Sequence, residues 1–172
     1  MNFSRIFTAM TIVAAASAAH AQSLYGGGSI GGSDWHGSVD GIDGGSRGVT
    51  GKVYGGYSIN PNFAIEAGAA RLGSMRDANG KVGANSVFVD GVGTLPLADK
   101  WSLLGRVGVA QARFSGPTGG DTGTGLKVGT GVQYQLSPTT ALRAEYEQYR
   151  LNSVFDSHAN IGQFTAGVKV NF

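Results

Sequence analysis

Nine ionisable side chains recur inside stretches that otherwise alternate apolar and polar residues: Lys52, Glu66, Asp90, Arg106, Lys127, Arg143, Glu145, Glu147 and Lys169. Five are basic and four acidic, so a set facing one enclosed space would nearly cancel, as buried charges must. A second grouping, Asp156, Ser157 and His158, holds the residue types of a hydrolytic triad. Neighbours on a strand point to opposite faces, so Ser157 and His158 could meet only through an irregular loop, and no catalytic residue is assigned. His36 and His158 stand alone in stretches expected to be loops and are read as solvated, so no metal or cofactor is expected. No glycine pattern follows a strand and opens a helix, which removes nucleotide-binding readings.

The elements that carry the nine charges have a period of two. Eight segments show it to differing degrees: 24–35, 49–59, 63–72, 86–97, 101–114, 123–136, 140–151 and 160–172. In the sixth, Leu126, Val128, Thr130, Val132, Tyr134 and Leu136 alternate with Lys127, Gly129, Gly131, Gln133 and Gln135. The first, rich in glycine, is the weakest. Asn60-Pro61-Asn62, Leu97-Ala98-Asp99-Lys100 and Ser137-Pro138-Thr139 are tight turns at nearly equal spacing. Between them lie longer loops rich in Gly, Ser and Asp, at 34–48, 74–85 and 115–122, and one through Phe155. Short turns therefore collect at one end and long loops at the other, the asymmetry of membrane barrels. Strands of these lengths cover the roughly 9 to 11 residues that a tilted strand needs to cross hydrocarbon.

The N-terminal stretch has a basic start at Arg5, an apolar run from Ile6 and an Ala19-His20-Ala21 site, which together read as a secretory signal peptide over residues 1–21. The exported barrel is then residues 22–172. With 13 Lys and Arg against 11 Asp and Glu, the chain is close to neutral, and no nucleic-acid partner is expected. There is no cysteine, so no disulfide supports the exported fold. No later segment approaches 18 consecutive apolar residues, which excludes a helical membrane protein but not a barrel. Glycine is abundant, 30 of 172 residues, yet it sits inside the alternating segments and without a collagen register.

The charges decide which face looks outward. The apolar faces carry many Ala and Gly and few bulky residues, too shallow to fill a soluble core but suited to lipid. With the apolar faces outward, all nine charges line the interior. Tyr57, Phe63, Trp101, Tyr134 and Phe172 fall near the tight-turn end, where a membrane-interface ring of aromatics is expected. The expected fold is all-β: an eight-stranded antiparallel up-and-down transmembrane β-barrel. Eight strands leave room only for side chains, so a continuous pore is not expected.

The last segment, with Phe164, Val168, Val170 and a final Phe172, resembles the closing strand of bacterial outer-membrane barrels. In those proteins the barrel assembly machinery reads this ending, and the resemblance implies the same partner here. Tyr54-Gly-Gly-Tyr57 before Asn60-Pro-Asn-Phe-Ala-Ile-Glu-Ala-Gly68, then Trp101-Ser-Leu-Leu-Gly-Arg-Val-Gly-Val109 and Ala141-Leu-Arg-Ala-Glu-Tyr146, look like the transmembrane domain of the outer membrane protein A family. That resemblance covers essentially the whole exported chain and implies an outer-membrane location, contact with its lipid, and a monomer. Family members with a second domain carry a peptidoglycan-binding module after the barrel; with the sequence ending at Phe172, that tethering role is not carried over. Interior charges in the family form a network able to act as a gate. Glu66 and Arg143 match two of its positions and Glu145 a neighbouring one, but Gln133 stands where an acidic partner can occur, and the same switch is not implied. The expectation is a non-enzymatic barrel contributing to envelope integrity, with short extracellular loops and a plugged interior. The alternative is an adhesin-like or ligand-binding barrel acting through its loops.

Overall fold

The structure, a computed structural model, describes residues 24–36, 38–39, 42–43, 47–77, 80–116, 119–154 and 157–172. The expected signal peptide lies outside the described residues. Eight strands form one closed barrel: β1 (Leu24–His36), β2 (Arg47–Asn60), β3 (Phe63–Asp77), β4 (Gly80–Pro96), β5 (Trp101–Gly116), β6 (Gly119–Gln135), β7 (Thr140–Val154) and β8 (Ser157–Asn171). Each strand pairs antiparallel with the next, and β8 returns to β1 from Tyr25↔Asn171 to His36↔Asn160. The amide of Phe172 bonds the Leu24 carbonyl at 3.0 Å and seals the seam at the tight-turn end. Among the described residues of the loop between β1 and β2, Ser38–Val39 pairs with Ile42–Asp43.

The period of two sorts side chains as the sequence dictates. Val53, Val107 and Phe164 point outward, each more than half exposed, while Glu66 and Lys127 point inward with none of their surface exposed. A soluble protein does the reverse. In water this exterior would be a continuous apolar patch far beyond what monomers tolerate; against acyl chains it is matched.

Several strands outrun their sequence-read ends. β3 reaches Asp77 and β4 starts at Gly80, inside the stretch read as the loop 74–85. β5 reaches Gly116 and β6 starts at Gly119, inside the stretch read as the loop 115–122. Backbone pairing in a hairpin needs no apolar side chain, so the ladder continues past the point where alternation fades. Part of what reads as loop is therefore hairpin extension.

Local chemistry fixes the tight turns. Asn60 Oδ1 accepts from the amides of Asn62 and Phe63, both at 2.9 Å, an Asx turn that frees Pro61 from any donor role. Ser137 Oγ accepts from the Thr140 amide at 3.1 Å and closes the β6–β7 turn. In β3 the register shifts between Arg71 and Ser74, around Gly73, whose φ of 87° suits glycine.

Candidate functional site: the closed lumen

Inward positions of six strands deliver the ions. β2 supplies Lys52, β3 Glu66, β4 Asp90, β5 Arg106, β6 Lys127, and β7 Arg143, Glu145 and Glu147, spaced by two so that all three face inward. These eight are buried, four cations with four anions, and they form one connected cluster. Arg106 holds its centre: Nη1 lies 3.1 Å from Glu66 Oε2, 3.0 Å from Asp90 Oδ2 and 3.1 Å from Glu147 Oε1, and Nη2 bonds Glu145. Lys52 Nζ bridges Glu145 at 2.8 Å and Glu147 at 2.7 Å. Lys127 Nζ bridges Asp90 at 2.6 Å and Glu147 at 3.1 Å. Arg143 Nη1 reaches Glu66 Oε1 at 2.6 Å, and its Nε donates to Gln133 Oε1 at 3.0 Å.

The ninth charge is placed differently. Lys169 is half-buried and belongs to none of these ion pairs; its ammonium lies 4.0 Å from the centroid of the Tyr25 ring. The Tyr25 hydroxyl in turn donates to Glu66 Oε1 at 2.8 Å.

Aromatic rings wall the cluster. Lys127 Nζ sits 3.7 Å from the centroid of Phe88, and Arg143 lies within 5.6 Å of the Tyr25 centroid and 5.4 Å of that of Tyr54. Beyond it, Leu72, Ala84, Ala112, Tyr149 and Ile161 are buried and form, with others, an apolar layer across the same lumen. Sequence reasoning missed this layer because no alternation marks it: Leu72, Ala84, Ala112 and Ile161 are apolar residues on the face otherwise read as polar. Tyr25, Tyr54 and Tyr149 are also interior groups: Tyr25 and Tyr54 share a face with Ser29 and Lys52 in the sequence, and Tyr149 has the parity of Glu147.

The other sequence-predicted residues fall as follows. Tyr57, Phe63, Trp101 and Phe172 are exposed on the outer wall and Tyr134 is partly so; Trp101 and Tyr134 are cross-strand partners with ring centroids 4.8 Å apart. Phe164, Val168 and Val170 also face outward, on β8. Ser157 and His158 are consecutive residues of β8, next to a register shift between Ser157 and Ala159, and Asp156 lies outside the described residues. His158 thus belongs to a strand rather than to the loop read from the sequence, again because pairing outlasts alternation.

Apolar wall outside and compensated ions within define an integral membrane β-barrel. The chain belongs to the outer membrane protein beta-barrel domain family, whose model matches residues 6–172, and it is a protein of the outer membrane. It is 29% identical over 134 residues to outer membrane protein A of Escherichia coli O157:H7, a match covering 70% of this chain and 38% of that relative. The chain thus spans well under two thirds of that relative's length. In fold it is similar to Neisserial surface protein A (TM-score 0.72, 18% identity, 87% of this chain and 97% of that one). It is similar also to the N-terminal barrel of Pseudomonas aeruginosa OprF (TM-score 0.60, 13% identity, 88% and 98%). The third likeness is to Ail, the attachment invasion locus protein of Yersinia pestis, solved with the heparin analogue sucrose octasulfate (TM-score 0.55, 21% identity, 87% and 99%).

Proposed function

We propose that this chain is a non-enzymatic outer-membrane barrel that contributes to envelope integrity, with a lumen plugged by its own ions and no through-passage. The observation that carries the reading is the eight-membered, charge-neutral cluster centred on Arg106. Such a cluster directs its charges at one another, and an eight-stranded wall gives little room beyond side chains. The barrel works as a monomer, contacts outer-membrane lipid, and is inserted by the barrel assembly machinery through β8, with Phe164, Val168, Val170 and Phe172 on its lipid-facing side.

Deleting the gene and measuring entry of a large or apolar antibiotic, alongside adhesion to a host-cell or matrix surface, separates this from an adhesin-like role of the loops. Increased permeability with unchanged adhesion is expected. Lost adhesion with an intact permeability barrier would overturn the reading and transfer the function to the loops.

A further inference from the structure

On three neighbouring strands the outer wall changes character near its long-hairpin end. Along β3 the outward residues are Phe63, Ile65, Ala67 and Ala69, then Arg71; along β4 they are Val89 and Val87, then Asn85; along β5, Val109, then Gln111 and Arg113. Register makes one row of these endpoints. Arg71 pairs with Asn85, Asn85 with Arg113, and Arg113 with Thr122, and all four are exposed. With strands about 4.8 Å apart, the backbones of Arg71 and Arg113 stand about 10 Å from each other, with Asn85 between them. Neither arginine makes an ion pair among the described residues. Both sit at the head of a shallow depression of the wall whose apolar floor includes Val53, Ala69 and Val87.

We propose that this row is a lipid-headgroup site: Arg71 and Arg113, with Asn85, bind a phosphate of an outer-leaflet glycolipid whose acyl chains lie in the depression below. Two guanidinium groups without an ion pair among the described residues offer fork-shaped donors matched to phosphate oxygens, and the amide between them adds a further donor. An outward arginine is costly at mid-bilayer and tolerated at the interface, so on these three strands the row also marks where hydrocarbon ends. A soluble anion would use the arginines but not the apolar floor. The proposal rests on the outer-membrane reading, with the long hairpins directed outward.

The test uses full-length exported protein in detergent micelles and native mass spectrometry, with bisphosphorylated lipid A and its monophosphorylated form as probes, and heparin as a soluble polyanion. Wild type is expected to retain the bisphosphorylated lipid at least tenfold better than Arg71→Gln/Arg113→Gln, with a smaller gap for the monophosphorylated lipid. Lys100→Gln, which removes a charge at the tight-turn end, is expected to behave as wild type. A shift in gel mobility on boiling, retained by every variant, certifies the closed barrel; its loss in the wild type itself would count against the barrel and not against the site. Equal lipid retention by wild type and the double variant overturns the site, as does a double variant that loses heparin binding but keeps lipid A.

Discussion

Tyr25 and Tyr54 occupy neighbouring strands, and each ring lies against its own cross-strand glycine partner: Tyr25 over Gly56, Tyr54 over Gly27. The three atoms nearest a Cβ at Gly56 all belong to the Tyr25 side chain, whereas one at Gly27 would meet the Tyr54 ring and also the Val168 carbonyl oxygen at 2.6 Å. The reciprocal packing lets two large rings lie flat inside a narrow barrel, with the Tyr25 hydroxyl reaching Glu66.

Gly27→Ala is therefore expected to destabilise the barrel more than Gly56→Ala, because a ring can tilt and a ladder carbonyl cannot. Overpacking of this kind costs about 1 to 3 kcal/mol. Urea titration of protein folded into lipid vesicles, followed by tryptophan fluorescence, gives the order. Gly55→Ala, whose Cβ would point outward to ordinary contact with the Tyr25 carbonyl at 3.8 Å, is expected to stay near wild type. An equal effect at all three positions would show that strand propensity, not ring packing, governs them.

Arg106→Leu leaves Glu66, Asp90, Glu145 and Glu147 without their shared partner. Breaking a buried pair from one side costs about 3 to 5 kcal/mol, and a loss of at least that size is expected in the same urea titration. Lys169→Met removes a cation that belongs to no ion pair in the cluster and rests on the Tyr25 ring, a contact of about 0.5 to 1 kcal/mol. The two variants are expected to differ by several-fold in effect, although the sequence presents both as inward-facing basic residues. Similar losses would mean that the cluster is not organised around Arg106.

That contrast shows how far the sequence reaches. A period of two places Arg106 and Lys169 on the same face of the wall, and the eight strands, their order and their inward ions follow from it. Height along the axis does not, because it depends on strand tilt and on register between neighbours, neither of which a single strand's pattern carries. So the nine charges read as one set, while the structure joins eight and leaves Lys169 beside Tyr25. Strand ends were equally hidden: the residues from Ser74 to Asp77 pair through their backbones with side chains that show no alternation. Arg71 was legible as a strand residue, inside the segment 63–72 and two positions beyond Ala69 on the same face, but alone it is a single outward cation. Only its alignment with Asn85 and Arg113 makes it part of a row.

The aromatic pair at the tight-turn end gives a depth measurement. Trp101 is about half exposed and packs against Tyr134 at 4.8 Å between centroids, a placement suited to the headgroup boundary. The chain has two tryptophans, so Trp35→Phe leaves Trp101 as sole reporter. In vesicles of brominated phosphatidylcholine, bromines high on the acyl chain are expected to quench it more strongly than bromines near the chain end. The opposite order would put Trp101 in mid-bilayer and remove the interface role from this ring.

Orientation can be read from single cysteines, since the chain has none of its own. Ser115 and Lys100 are both exposed and sit at opposite ends of β5, Ser115 on the long-hairpin side and Lys100 in the tight turn just before the strand. If the long hairpins face outward, a membrane-impermeant maleimide added to intact cells labels Ser115→Cys and spares Lys100→Cys until the envelope is permeabilised. Both substitutions lie outside the ion cluster and the glycine packing, so folding is not at issue and each serves as the control for the other. Labelling of Lys100→Cys on intact cells, with Ser115→Cys protected, would invert the barrel. It would also put the Arg71 row in the inner leaflet, where a phosphorylated glycolipid of the outer leaflet could not reach it.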